Sequence, residues 1–158
     1  MCGIFGIYNI KEKHYFEQEK IKLSVENMHH RGPDYMGIRI FDNNAVLAHL
    51  RLAIIDLVAD SNQPFERDDR YFVSYNGEIY NYIELRDDLI KIGYKFKTQS
   101  DTEVLVVAYQ AWGEDCVNHF NGMWAFAIYD QLENKLFCSR DRFGVKPFNY
   151  ATVNGQFI

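Results

Sequence analysis

What most constrains this chain is a run of short aromatic and β-branched segments joined by tight-turn signals and broken by only a few stretches of helical spacing. Gly37 to Phe41 and Ala45 to Leu50 read as paired strands across Asp42-Asn43-Asn44. Met123 to Tyr129 and Lys135 to Cys138 read as a hairpin around Leu132-Glu133-Asn134, and a last hairpin starts near Phe148 and turns at Asn154-Gly155. Ile4 to Tyr8 is a further short strand, apolar enough to be buried on both faces. Arg70 to Tyr75 is another, ending at Asn76-Gly77. Between these strands, Phe16 to Met28 carries Phe16, Ile21, Leu23, Val25 and Met28 at helical spacing. Tyr80 to Ile92 does the same with Ile83, Leu85, Leu89 and Ile92, and Gly93 stops it. Ser100-Asp101-Thr102-Glu103 has the pattern of a capping box and starts a helix running to about Trp112, with Gly113 after it. His29 to Tyr35 is a loop fixed by Gly32-Pro33. Strands joined by hairpins make antiparallel sheet, so the expected class is α+β. Helices should cover one face of the aromatic-rich strands and a second sheet the other.

Length and charge narrow the function classes. A chain of 158 residues that is 47% apolar is one domain with a sizeable core. Its formal charge of −5, with acidic and basic residues mixed, argues against nucleic acid or an anionic membrane surface as partner. No apolar run reaches the length of a membrane span, and the first residues lack the layout of a signal peptide. Cys2, Cys116 and Cys138 stand far apart and form no C-x-x-C pair, so no zinc or disulfide framework is expected; a reducing cytoplasm fits. The chain stops at Phe157-Ile158 inside a strand-like segment, and we read it as a piece of a longer protein.

Several residues invite a chemical reading, each beside a plainer one. Cys2 follows the initiator Met1. Once Met1 is removed, one amino acid carries a thiol nucleophile and a free α-amine whose unperturbed pKa is about 7.7–8.0, a built-in proton acceptor. With Met1 in place that amine is locked in a peptide bond. The plainer alternative is a small buried residue opening a strand. Asn76-Gly77-Glu78 is either a tight turn, since Asn-Gly is a strong hairpin signal, or an oxyanion site built from the Asn76 side-chain amide and the Gly77 backbone N–H. Arg51 in Leu50-Arg51-Leu52-Ala53-Ile54-Ile55-Asp56 needs a partner among apolar neighbours: Asp56 or another internal carboxylate, or a substrate carboxylate gripped by two parallel hydrogen bonds. Asp101, on the first turn of its helix, either complements the positive helix end or meets a substrate ammonium. His29-His30 reads as structural rather than as a metal site. Cys116 and His119, one helical turn apart, read as packing. The charges of Arg140-Asp141-Arg142-Phe143-Gly144-Val145-Lys146-Pro147 read as pairing locally to hold a bend rather than as a phosphate patch.

Taken together, Cys2-Gly3-Ile4-Phe5-Gly6, His30-Arg31-Gly32-Pro33-Asp34, Arg51-Leu52-Ala53-Ile54-Ile55-Asp56, Asn76-Gly77-Glu78-Ile79-Tyr80-Asn81, Ser100-Asp101-Thr102-Glu103 and Arg140-Asp141-Arg142-Phe143-Gly144 occur in an order that resembles the glutaminase (class II glutamine amidotransferase) domain of glutamine-hydrolysing asparagine synthetases, over nearly the whole chain. The resemblance implies an N-terminal-nucleophile hydrolase fold, a four-layer αββα sandwich with two mainly antiparallel sheets. It implies one domain over 1–158, truncated at its C-terminal end, with the ATP-dependent synthetase domain absent. Cys2 resembles the nucleophile, Asn76 and Gly77 match the oxyanion donors, and Arg51 matches the arginine that holds the glutamine α-carboxylate. Glu78 and Asp101 match residues at the α-ammonium end, and the backbone around Leu52, Ile54 and Ile55 lines the same pocket. The glutaminase step would need no cofactor and no metal; ATP and Mg²⁺ belong to the absent domain. The implied partners are glutamine and that synthetase domain, with a homodimer as a further candidate assembly. A related amidotransferase serving a sugar or another carboxylate, and a non-catalytic glutamine-binding module, are the alternatives. Ser61 stands where relatives often have glycine, a change expected to alter a loop more than the chemistry.

Overall fold

Two antiparallel sheets stack face to face in the structure, a computed structural model that describes residues 2–11, 14–52 and 62–158. Ala53 through Ser61, which include Ile54, Ile55 and Asp56, lie outside the described residues, as does Met1. The first sheet holds β1 (Gly3–Asn9), β2 (Tyr35–Phe41), β3 (Ala45–Arg51), β8 (Thr152–Val153) and β9 (Gln156–Phe157), in the order β2-β3-β1-β9-β8. The second holds β4 (Phe65–Arg67), β5 (Tyr71–Ile79), β6 (Gly122–Asp130) and β7 (Lys135–Arg140), in the order β4-β5-β6-β7.

The two-residue alternation of strand side chains makes the layers. On β3, Val46, Ala48 and Leu50 turn outward against Ile21 and Val25 of α1 (Gln18–Glu26), while Ala45 and Leu47 turn inward. On β5, Tyr71, Val73, Tyr75 and Ile79 face α2 (Tyr82–Lys91) and α3 (Asp101–Trp112), while Phe72 turns inward. The inner faces meet at Phe41, Ala45 and Leu47 against Phe72, Ala127 and Tyr129. The result is the expected αββα sandwich. Every residue of α3 from Asp101 to Tyr109 is buried, as befits a helix apolar on most sides. Full burial of its Leu105, or of Phe126 opposite it, contributes about 1.5–3 kcal/mol apiece, so the helix is a fixed platform for Asp101.

The strand and hairpin readings carry over with small changes at the ends, and three differences have physical causes. Leu23 is 59% exposed: the buried stripe of α1 is narrower than the apolar spacing suggests and consists of Ile21 and Val25, with Phe16 buried just ahead of the helix. The three-residue strand β4 was not foreseen, because so short a segment carries no readable periodicity. Most consequentially, Asn76-Gly77 is not a turn. β5 runs straight through it to Ile79, paired rung by rung with β6 as Asn76↔Ala125, Gly77↔Trp124 and Glu78↔Met123.

Candidate active site

Cys2 stands one residue before β1, whose first rung pairs Gly3 with Leu50. The Cys2 Sγ lies 3.4 Å from the Leu52 backbone N–H, which donates to it, and 3.7 Å from the Leu52 carbonyl. Arg31 Nη2 donates to the Cys2 carbonyl at 3.3 Å. The thiol is therefore tied to the backbone just past the end of β3 and remains half-exposed. It opens onto a cavity of about 500 Å³ between the sheets, lined also by Gly6, Leu47, Ser74, Asn76 and Ala127. Gly6, which has no side chain, and Ala127, which has only a methyl, are among the residues that line it.

Continuing β5 straight past Tyr75 sorts its residues by direction. Asn76 is 4% exposed and faces inward, two positions on from Ser74, into the cavity that Cys2 lines. The backbone N–H groups of Tyr75 and Ile79 do something different. Beyond the short β4 no strand pairs with this edge among the described residues, and side chains meet it: Tyr75 N donates to Gln63 Oε1 at 2.6 Å and Ile79 N donates to Asp101 Oδ2 at 3.1 Å. Alternate N–H groups on a strand point to the same side, so the Gly77 N–H, midway between them, is directed at that same edge. The glycine is needed for space rather than for backbone freedom. A Cβ there would fall against the Met123 carbonyl oxygen and 2.8 Å from the Trp124 Cα.

Asp101 sits on the first turn of α3, 7% exposed. Its Oδ2 accepts from the Tyr75 hydroxyl at 2.8 Å as well as from Ile79 N. Burial raises its pKa above the ordinary carboxylate value, against the hydrogen bonds from Ile79, Tyr75 and Thr102, and the nearby Glu78 charge adds to the rise. Burial also raises the Tyr75 phenol well above its usual value, with the charges of Asp101 and Glu78 adding to it, so the phenol stays protonated and donates. The segment leading into α3 is clamped. Ser100 Oγ accepts from Glu103 N at 3.2 Å, as the capping pattern predicts. The Glu103 carboxylate does not complete the reciprocal bond to the cap. It is fully buried and instead accepts from Arg67 Nη1 at 2.8 Å, from Thr98 N at 2.6 Å and from Lys97 N at 2.9 Å. Arg86 Nη1 and Nη2 donate to the Thr98 and Ser100 carbonyls.

Arg51 ends β3, 8% exposed, and its Nη1 donates to Asn62 Oδ1 at 2.6 Å. The Asn62 amide is thus one of its partners, and Asp56 lies outside the described residues. His49, one inward position before it, bonds the Tyr75 carbonyl through Nε2 at 3.1 Å. The structure thus gathers Cys2, Leu52, Arg51, Asn76, Gly77, Glu78 and Asp101 around the ends of β1, β3 and β5 and the start of α3, while Ile54 and Ile55 lie outside what it describes. Tyr75 and Gln63 belong to the same neighbourhood, and sequence reasoning missed both. A tyrosine in an aromatic strand carries no mark of its hydroxyl's partner, and Gln63 reads as loop.

The remaining motifs lie elsewhere. Asp141 accepts from the backbone N–H groups of Trp124, Phe143, Val145 and Lys146. Arg140 donates to the Lys146 and Gly144 carbonyls at 2.7 and 2.6 Å, so this loop does hold a bend with its own charges. Cys116 is fully buried, its thiol pushed up to about 12 by burial, and His119 stacks on Trp112.

Two antiparallel sheets packed face to face between helices set the class: the sandwich of the N-terminal-nucleophile hydrolase fold, as in solved amidotransferases. The solved structure of glutamine phosphoribosylpyrophosphate amidotransferase from B. subtilis overlays with a TM-score of 0.80 over 98% of this chain and 40% of its own, at 19% identity. A structure described as the allosteric regulatory enzyme of purine biosynthesis gives 0.81 over the same shares, at 18% identity. The glutamine amidotransferase domain family matches residues 1–158, and the chain belongs to it. Curated relatives include a putative glutamine-hydrolysing asparagine synthetase of Methanocaldococcus jannaschii, 43% identical over the whole of this chain and 33% of its own length. Asparagine synthetase 3 of Bacillus subtilis is 39% identical over the whole of this chain and 26% of its own length. Asparagine synthetase B of Escherichia coli is 38% identical over 93% of this chain and 26% of its own. The chain thus spans about a third or less of the relatives it matches. Among the described residues no helix is long and apolar enough to cross a membrane.

Proposed function

We propose that the chain hydrolyses the side-chain amide of glutamine and feeds the ammonia to an asparagine-forming synthetase part of the kind its relatives are named for. The observation that carries this is the meeting of Cys2 and Asn76 on one cavity, with the Gly77 N–H directed at the neighbouring strand edge. Arg51 pairs with the glutamine α-carboxylate, and Asp101 with Glu78 holds the α-ammonium. Leu52 contributes backbone, with Ile54 and Ile55 assigned to the same wall. Fixing both charged ends brings the carboxamide to the thiol in one orientation.

The Cys2 thiolate adds to the carboxamide carbon, its proton having passed to the α-amine freed by removal of Met1. The carbonyl oxygen becomes an oxyanion held by the Asn76 side-chain amide and the Gly77 N–H. Collapse breaks the C–N bond, the Cys2 ammonium protonates the departing nitrogen, and ammonia leaves behind a thioester. Water then adds to the thioester carbonyl, the C–S bond breaks, and glutamate is released with the thiol restored. No cofactor or metal takes part in this step; ATP and Mg²⁺ are assigned to the synthetase part. A cytoplasmic setting keeps the thiol reduced, and a homodimer is the assembly to test by light scattering.

The experiment is ammonia release from glutamine by protein whose intact mass shows whether Met1 is gone. The Cys2→Ala variant should keep its fold and lose the activity. Full activity in that variant, or in protein that still begins with Met1, refutes the scheme. A serviceable module that only binds glutamine would bind it in either form and release nothing.

A further inference from the structure

We propose that Tyr75 is a positioning residue for glutamine: its hydroxyl holds the Asp101 carboxylate in the charged state and orientation that receive the substrate ammonium. The proposal rests on the reading of Asp101 given above and adds a residue that reading does not use.

The geometry leaves the hydroxyl one task. Tyr75 is 3% exposed, its ring lies in the core between β5 and α3, and its Oη reaches Asp101 Oδ2 at 2.8 Å. The Ile79 N–H, from the same strand, reaches the same oxygen at 3.1 Å. Two donors on Oδ2, with the Thr102 N–H as a third donor to the same carboxylate, fix its plane. Gln63 braces both partners at once, accepting from Tyr75 N at 2.6 Å and donating to Thr102 Oγ1 at 3.3 Å, beside Asp101. Tyr75 is therefore pinned by its backbone as well as its ring, and its hydroxyl cannot swing away.

The electrostatics make the bond matter. Asp101 is a carboxylate in a buried position, where the charged form is disfavoured. The groups facing it are Tyr75, Glu78 and the Ile79 N–H from β5, and the Thr102 N–H from its own helix. The Arg86 guanidinium from α2 is spent on the carbonyls of Thr98 and Ser100, and Arg67 on Glu103. Glu78 works against ionisation, and the phenol and the backbone N–H groups work for it. The phenol is a side-chain donor to this carboxylate beside two backbone N–H groups. Without it the carboxyl takes its proton at higher pH and meets an ammonium as a neutral group.

The test uses Tyr75→Phe, which keeps the ring and removes only the hydroxyl, in the intact protein with glutamine as substrate. The KM should rise about tenfold, the size of one lost hydrogen bond to a charged group, with kcat within about twofold. The acid limb of kcat/KM should move to higher pH. The Asp101→Asn variant should raise KM by itself, and adding Tyr75→Phe to it should change KM no further. An unmoved acid limb overturns the proposal, as does an equal KM loss from Tyr75→Phe in both backgrounds. A Tyr75→Phe chain that fails to fold also overturns it, because the hydroxyl would then be a structural requirement. An Asp101→Asn variant with unchanged KM instead removes the ammonium role of Asp101, and with it the premise.

Discussion

His49 makes the domain acid-labile in a window that can be calculated. It is 1% exposed and its Nε2 lies 3.1 Å from the Tyr75 carbonyl. A carbonyl only accepts, so Nε2 carries the proton and Nδ1 is a buried acceptor with no partner among the described residues. Protonating Nδ1 would create a donor with nothing to receive it and a charge beside Arg51. Burial pushes the His49 pKa down from 6.5 to about 4, with the Tyr75 carbonyl resisting and the Arg51 charge adding to the fall. Because the folded value is depressed, the unfolded chain takes the proton first. The contribution is intact above the unfolded value and is lost as pH falls from about 6.5 towards about 4. At about 1.36 kcal/mol per pKa unit the full loss is about 3 kcal/mol. By about pH 4.5 most of it, about 2.5 kcal/mol, has gone, a sizeable share of a typical domain stability of about 5–15 kcal/mol. Asp130 and Asp141 act lower down. Burial tends to raise both, but the Arg70 side chain and, for Asp141, four backbone N–H groups hold them below 3.8, so their contribution fades beneath that window. The raised carboxyl of Asp101 acts in the opposite sense and is common to both proteins, so it cancels in a difference. Urea unfolding of the parent and of His49→Gln, from about pH 7.5 to about pH 4.5, should show the parent losing about 2.5 kcal/mol more than the variant. Parallel stability curves would refute the assignment of a neutral, buried His49.

Three further outcomes are expected. Asn76→Ala should lower kcat about 100- to 1000-fold with little change in KM, as the loss of one oxyanion donor does; steady-state ammonia release decides it, and an unchanged kcat removes Asn76 from that role. Arg51→Ala should chiefly raise the KM for glutamine, since it removes a partner of the bound substrate rather than of the oxyanion; a KM that stays put removes the carboxylate contact. Arg67→Met leaves the fully buried Glu103 carboxylate without its ion-pair partner at 2.8 Å and should cost about 3–5 kcal/mol in urea unfolding. A loss below about 1 kcal/mol, the scale of an exposed pair, would show that the backbone N–H groups suffice.

The layered plan was legible because hairpin signals and helical spacing report locally. Asp42-Asn43-Asn44 and Asn154-Gly155 do turn, with positive φ at Asp42, Asn154 and Gly155. Asn76-Gly77 carries the same local signal and does not turn, because tertiary pairing with Ala125 and Trp124 overrides it. The capping box was half right for a related reason. Its serine acts locally, whereas Glu103 answers to Arg67, a partner distant in sequence that a local pattern cannot name. Among the site residues, Cys2 stood out by its place after Met1, Arg51 by its apolar neighbours, Asn76 by the Asn-Gly pair after a strand and Asp101 by its place on a helix's first turn. Tyr75 did not stand out, since an aromatic residue in a strand already has an explanation.

The uninterrupted course of β5 also bears on which kinds of sequence change this segment can survive. Successive residues there serve different masters: Asn76 the cavity, Gly77 the strand's edge, Tyr75 the helical layer. Deleting or inserting a single codon between Tyr71 and Ile79 would send each of them to the wrong side while leaving composition almost untouched. The segment should therefore accept many exchanges of side chain but almost no change of length, and gaps in this stretch should be rare wherever the chemistry is retained.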